Sequence, residues 1–504
     1  MKQFYAPLLE ALIDHINDSP AGFHVPGHHY GQALAYELQN AMPEYHPSKW
    51  FSEIMMLDVT ELSSTDDLHH PERSIKEAQL LAAHTFGADE TFFLVGGSTS
   101  GNIALLLALC DQDDIIIVQR NVHKSILNGL RLAGAKAVFL SPQIELSSSL
   151  AVVPSLEQVE EALQLYPEAK AVFLSNPNYY GMGVKLTPYS ELIHKYGKPL
   201  LVDEAHGAHF GFHSQLPLSA LAEGADAVVQ SAHKTLPALT MGAMLHVQGD
   251  RMDRQLLRQS LAMIQSSSPS FPILASLDIS RAMIDALGEE LFKQSLSSAA
   301  SFRRWLAEQS THIKSLELSL EKDNQIIAFA DPLRVVLYDK SGIFTGFELQ
   351  QRLEKFNIYV EMADPRYVVL VFGIGTSLED IMKLENAIIT TNRDLNEINS
   401  PAKLKLNPLV YDAGHAGTAP TISKPVSFAR SLFSRRRMER IQLAQAEHRM
   451  AAEMVTPYPP GISILYPGEI ITAEGIEQIQ YLARTGAKFQ GANDQTMNTI
   501  AVYE

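Results

Sequence analysis

A single cysteine, Cys110, is present in 504 residues. It excludes an intrachain disulfide framework and a cysteine-rich zinc site, and its apolar neighbours, Ile103 to Leu109, place it in a core. No apolar run reaches the ~18 residues that a membrane span needs, and the N-terminus has no basic start, apolar stretch and cleavage site of a signal peptide. Basic charge is also in deficit. Forty Lys and Arg against 57 Asp and Glu leave a net charge of −17, which argues against nucleic-acid or anionic-membrane partners and favours the approach of small cations. Neither an internal repeat nor a low-complexity tract interrupts the chain. These absences describe a cytoplasmic protein with no membrane or nucleic-acid partner and no metal site.

What remains is an ordinary globular balance, 46% hydrophobic and 19% charged, and length for roughly three domains. Leu8, Leu9, Leu12, Ile13 and Ile16 repeat at helical spacing, ahead of a Pro- and Gly-containing loop, Phe23-His-Val-Pro-Gly-His-His-Tyr-Gly31. The acidic segment Leu57 to Pro71 has too little apolar content for a core and is expected at a surface or subunit contact. From residue 73, helices (Ile75 to Phe86, Gly101 to Cys110, Ser125 to Leu132) alternate with strands. The strands are Thr91 to Val95, Ile115 to Val118, Ala137 to Leu140, Ala171 to Leu174, Leu200 to Asp203, Ala225 to Val229 and Ala243 to Val247.

That alternation predicts an α/β fold with a mostly parallel central sheet, helices on both faces and ligands at the carboxyl ends of the strands. Helices follow between 250 and 300, broken at Ser266 to Pro272. A smaller α/β part has strands at Leu316 to Leu320, Leu333 to Leu337, Ile358 to Val360 and Tyr367 to Val371. After a linker, Asp412 to Pro425, a helix is expected over Phe428 to Met454, carrying Arg430, Arg435, Arg436, Arg437 and Arg440 on a solvated face. The domains are read as 1–72, an N-terminal helix and arm; 73–290, the large domain; 291–400, the small α/β domain; and 401–504, the C-terminal domain.

Four strand-end features carry chemistry. Gly96-Gly-Ser-Thr-Ser-Gly-Asn102 joins a strand to a helix, so its N–H groups and hydroxyls meet at a helix N-terminus, where an anion can sit. It lacks the lysine of a P-loop and the spacing of a dinucleotide fingerprint, and a plain tight turn fits it equally. His123 follows a second strand; alone it reads as a packing histidine. Asp203 ends a buried strand, where a charge is costly without a cationic partner, although a carboxylate capping the next turn also fits. Lys234, in Ser231-Ala-His-Lys234, follows another strand; a surface lysine is the ordinary alternative, whereas a lysine that attacks a carbonyl needs a setting that favours its neutral amine. Together they match what pyridoxal 5'-phosphate requires: a phosphate cup, a ring-stacking side chain, a carboxylate for the pyridine nitrogen and a lysine for the aldehyde.

In their order and spacing these features resemble fold-type I pyridoxal-phosphate enzymes, the aspartate-aminotransferase superfamily. The loop Phe23 to Gly31, Asp58-Val-Thr-Glu-Leu62, Asp66-Asp-Leu-His-His-Pro71, Arg120-Asn-Val-His-Lys-Ser125, Asp203-Glu-Ala-His-Gly207, Ser231 to Lys234 and Tyr458-Pro-Pro-Gly-Ile462 resemble, in order, the motifs of the Orn/Lys/Arg decarboxylase class-I family in its short form. The resemblance covers about residues 20 to 470. It implies that Ser98, Thr99 and Ser100 hold phosphate, with Ser231 and His233 flanking it. His123 would stack on the ring, Ala205 lie on the other face and His206 sit beside it. Asn178 would hydrogen-bond the phenolic oxygen, Asp203 keep the pyridine nitrogen protonated and Lys234 bond the aldehyde. Lys234, Asp203 and His233 would be catalytic, with Lys234 or His233 as the proton donor. A homodimer or higher even oligomer, a basic amino acid as substrate and a diamine or agmatine as product follow from the same resemblance. Three positions depart from the family pattern: His206 for the tryptophan of some longer members, His29 for a frequent lysine, and Ser463 for a proline. The constellation by itself also suits an aminotransferase, a retro-aldol lyase or a catalytically silent pyridoxal-phosphate-binding regulator.

Overall fold

The computed structural model describes residues 3–34, 47–318, 326–397, 421–428, 436–458 and 461–504. The chain divides into two compact units. One comprises Met1–Leu109, Val202–Ser214 and Leu218–Leu291, the other Cys110–Leu201, Gln215–Pro217 and Phe292–Glu504. The fold class is α/β with mostly parallel strands, as expected.

In the first unit the strand Glu90–Leu94 lies beside Ala243–Val247, then Ala227–Gln230, then the end of Leu200–Asp203. Ala243–Val247 runs antiparallel to both its neighbours. Phe93, Val229 and Leu245 are fully buried, which is why these segments carry apolar residues at consecutive positions. The helix Gly97–Leu109 packs against them. A Cβ on Gly101 would stand 2.8 Å from Leu94 and 2.9 Å from Val229, so only glycine permits that approach. Helices Pro7–Asn17, Pro47–Leu57, Ser74–Phe86, Arg254–Ile264 and Phe271–Leu287 also belong to the unit.

The acidic segment 57–71 departs from expectation. Val59, Thr65, Asp66 and Leu68 are buried, and the Asp66 carboxylate accepts hydrogen bonds from the backbone N–H groups of Glu72, Arg73 and Ile75 at 2.8–3.0 Å. Burial works against its ionisation, but these bonds outweigh it and hold the pKa below the usual carboxylate value. Asp66 thus serves the start of the helix Ser74–Phe86, whose first N–H groups have no intrahelical acceptor.

In the second unit Val172–Ser175, Ile115–Gln119 and Lys136–Leu140 pair in parallel, and Val426–Ser427 adds an antiparallel edge. A four-stranded antiparallel sheet follows, ordered Ile313–Ser315, Arg334–Asp339, Tyr367–Val371, Met362–Ala363. The strand expected at Leu316 to Leu320 therefore lies earlier, and residues 319–320 fall outside the described ones. Ile358 to Val360 is not a strand; pairing begins at Met362.

The helix expected over Phe428 to Met454 is corrected. Met438–Gln442 is a strand paired along its length with Thr499–Tyr503, and Met450–Ala451 pairs on the other side. Helical propensity yields here to a distant segment that offers a full hydrogen-bond ladder. Arg436, Arg437 and Arg440 are exposed, with Arg440 bonded to Glu453 at 3.2 Å. Arg430 and Arg435 lie outside the described residues. Leu443, Val455, Phe489, Ile500 and Val502 form a core here. Among the described residues no helix is long and apolar enough to cross a membrane.

Candidate active site

The strand Ala227–Gln230 ends in Ser231 and a single helical turn, Ala232–Thr235, that carries Lys234. The Lys234 Nζ lies 3.0 Å from Nε2 of His206. His206 is buried, three residues past Asp203. An imidazole in hydrogen-bond contact with the amine can take or return its proton, which a lysine needs in order to act as a nucleophile.

Asp203 is buried to 6% exposure. Its Oδ2 accepts from the Asn102 amide at 2.9 Å and its Oδ1 from the Ala205 N–H at 3.1 Å. Burial raises its pKa against the opposing effects of the Lys234 charge and the Asn102 and Ala205 hydrogen bonds. A carboxylate held in this way is a site for a cationic partner. Asn102 belongs to the quoted Gly/Ser motif, yet sequence reasoning gave it no role; its distance from Asp203 along the chain hid the contact.

The expected phosphate cup forms the first turn of the helix Gly97–Leu109. Gly97 has φ +71° and donates its N–H to the Met241 carbonyl at 2.8 Å. Ser98 is half-buried and Thr99 exposed. Ser100 is buried, and its hydroxyl donates to the Gly97 carbonyl at 2.8 Å. The Ser231 Oγ is fully buried and has no hydrogen-bond partner among the described residues, a state that costs about 1–3 kcal/mol. His233 donates from Nδ1 to the Gly242 carbonyl at 3.0 Å, and Ala205 is buried. An orphaned serine hydroxyl, a helix N-terminus, a buried carboxylate seeking a cation and a lysine against an imidazole fit pyridoxal phosphate.

His123 and Asn178 belong to the second unit. His123 caps the helix Lys124–Ala133, its Nδ1 accepting from the Ser125 N–H, and it forms a strand bridge with Ile462. Ser463 is buried with its hydroxyl 2.8 Å from that of Thr456, so the departure from proline is absorbed by a hydrogen bond. The Asn178 side chain donates to the Ala151 carbonyl and accepts from the N–H groups of Tyr180 and Met182. These bonds fix the turn Asn178 to Met182.

Behind Asp203 lies a group of side chains that sequence reasoning missed. Glu204 is fully buried, accepting from the Gln230 amide at 2.7 Å, the Ala220 N–H at 2.8 Å and the Ser219 hydroxyl at 3.3 Å. Burial pushes its pKa up to about 8 against these bonds, which favours the neutral acid. Stability from this group is complete below the unfolded value near 4.5 and is lost as pH rises towards 8, at about 1.4 kcal/mol per unit. Glu204→Gln is therefore expected to gain on wild type in urea unfolding between pH 5 and pH 8; parallel stabilities over that range would contradict this.

Comparisons with known proteins identify the family. The sequence model of the Orn/Lys/Arg decarboxylase major domain matches residues 6–380, and that of the C-terminal domain of the same decarboxylases matches 416–493. The chain is 38% identical to the Bacillus subtilis protein YaaO over 99% of its own length and 98% of that protein. It is 34% identical to the arginine decarboxylase of Bacillus subtilis over 100% of this chain and 98% of the other. Among solved structures, lysine decarboxylase A from Pseudomonas aeruginosa superposes with a TM-score of 0.81 at 22% identity, covering 99% of this chain and 81% of that one.

Proposed function

Because the chain belongs to the Orn/Lys/Arg decarboxylase family, we propose that it uses pyridoxal 5'-phosphate to decarboxylate a basic amino acid (arginine, lysine or ornithine) to agmatine or a diamine in the cytoplasm. The observation that carries this reading is the grouping of Lys234, His206, Asp203 and Asn102 in one unit. Arginine is the first substrate to try, since three relatives matched over 98% of their own length are named arginine decarboxylases. Purified protein supplied with pyridoxal phosphate should release carbon dioxide from at least one of the three. Transamination without carbon dioxide release would instead support an aminotransferase.

When bound, the cofactor supplies a conjugated electron sink for the pair left as carbon dioxide departs. Asp203, fixed by Asn102 and Ala205, holds a proton on the pyridine nitrogen. Lys234 would hold the cofactor through its amine, and His206, 3.0 Å away, would take up or return that amine's proton. Ser98, Thr99, Ser100 and Ser231 hold the phosphate, with His233 beside it; Lys234 or His233 returns the final proton to carbon. His123, Ala205 and Asn178 are assigned to the ring. In this reading 73–290 carries the cofactor and 1–72 reaches a second copy.

The second copy is supported by the apolar side chains that the N-terminal segment leaves in water. Phe23 is 99% exposed, with Val25 and Phe51 more than half exposed. A carboxylate of the acidic segment 57–71 is the natural partner for the substrate's distal cation; there Asp66 is committed to a helix start, Asp58 lies 3.3 Å from His28, and Asp67 accepts from the His69 N–H. Glu61 stands apart. One of its oxygens accepts from Thr60 at 2.6 Å, and the other is buried with no partner among the described residues. Glu61→Gln should raise KM for the basic amino acid by the equivalent of about 1.5–3 kcal/mol with the cofactor spectrum unchanged. An unaltered KM would remove Glu61 from substrate recognition, and a fully active monomer by sedimentation would remove the second copy.

A further inference from the structure

Glu204 and His246 are buried titratable groups that take no part in that mechanism, and one amide joins them. Gln230 donates to Glu204 at 2.7 Å, and its carbonyl oxygen lies 3.1 Å from Nε2 of His246, whose Nδ1 lies 2.8 Å from the Thr91 hydroxyl. All four side chains are buried. Phe86 stacks on the His246 ring at 4.7 Å, and Gly207 leaves the space that Glu204 fills, since a Cβ there would come within 2.7 Å of Glu204 Cγ.

The chain thus crosses the ends of the strands that carry the reacting groups. Glu204 follows Asp203 directly, and its N–H donates to the Val229 carbonyl at 2.9 Å. Gln230 precedes Ser231, four residues before Lys234. The carboxyl groups of Asp203 and Glu204 go to different partners, one to Asn102 and the other to Ser219, Ala220 and Gln230. A buried polar chain is seldom the most stabilising way to fill a core, and apolar residues of similar volume often do as well. What it adds is direction: each donor fixes the next acceptor, so one rotation disturbs every bond.

We propose that Gln230 and Glu204 are positioning residues for the reaction, holding the Asp203-to-His206 segment in register with Ser231-to-Lys234 so that the carboxylate and the amine address one cofactor. This rests on the proposed use of pyridoxal phosphate. Gln230 touches no reacting atom; it acts through the backbone of its neighbours.

Gln230→Leu removes both bonds, whereas Glu204→Gln keeps a neutral group in place and lets the Gln230 amide and the His246 ring reverse direction. For Gln230→Leu, kcat should fall at least about tenfold while KM stays within about threefold. The pH midpoint of the visible absorbance of bound pyridoxal phosphate should move by about half a unit or more. Glu204→Gln should keep both near wild type. Thr91→Val, at the far end of the chain, serves if Gln230→Leu does not fold, and should give a smaller shift of the same midpoint. A folded Gln230→Leu with wild-type kcat and midpoint, even if it melts earlier, would overturn the proposal, as would an unmoved midpoint in Thr91→Val where only that variant folds. Wild-type protein that takes up no pyridoxal phosphate would overturn the proposed function instead.

Discussion

Lys234→Ala is expected to yield a folded protein that neither retains a visible pyridoxal-phosphate band through dialysis nor releases carbon dioxide. Lys234 is half-buried on a single helical turn, so trimming it opens no sealed core cavity and should cost little stability. What disappears is the amine, and with it the partner of His206 Nε2. The noncovalent holders, Ser231 and the first turn of the helix Gly97–Leu109, remain, so weak uptake at high cofactor concentration should survive. Turnover should drop by at least about a thousandfold, because losing a covalent nucleophile removes a step rather than weakening it. Far-ultraviolet circular dichroism and the visible spectrum after dialysis are the two measurements. A retained band together with turnover would move the attachment point to another amine and end the present assignment.

What could be read in the sequence and what could not divide along a physical line. Strands with consecutive buried apolar residues, such as Ile115–Gln119 and Ala243–Val247, were legible because periodicity and β-branching act locally. Asp203, which ends such a strand, and Lys234, four residues past another, could be picked as candidates for the same reason. Contacts that depend on a distant segment were not. The strand Met438–Gln442 carries a helix-compatible composition and owes its form to Thr499–Tyr503. Asp66 looks like a surface acid until five backbone N–H groups converge on it. Asn102, Gln230 and His246 are ordinary residues in sequence, and their importance comes from what lies opposite them. Asp-Glu-Ala-His-Gly drew attention to its aspartate, while the neighbouring glutamate, equally buried, passed without a role.

Asp203→Asn should keep the fold and lose at least about a hundredfold in kcat, roughly 2.7 kcal/mol of transition-state stabilisation. The amide fills the same volume and can still accept from the Ala205 N–H, but it carries no charge to hold a proton on the pyridine nitrogen. The same substitution should act oppositely on the stability of the cofactor-free protein. Burial raises the pKa of Asp203 in the fold, so the stability tied to this group is complete below its unfolded value near 3.8 and is lost as pH rises towards the raised one. At neutral pH the cofactor-free variant should therefore be at least as stable as wild type. Adding pyridoxal phosphate should reverse that order, because a cation beside Asp203 offsets the burial of its charge only where the charge exists. The decisive comparison is the melting temperature of both proteins with and without cofactor, alongside kcat. A variant within about tenfold of wild-type kcat, or one that gains as much melting temperature from the cofactor as wild type does, would show that Asp203 serves the fold and not the pyridine nitrogen.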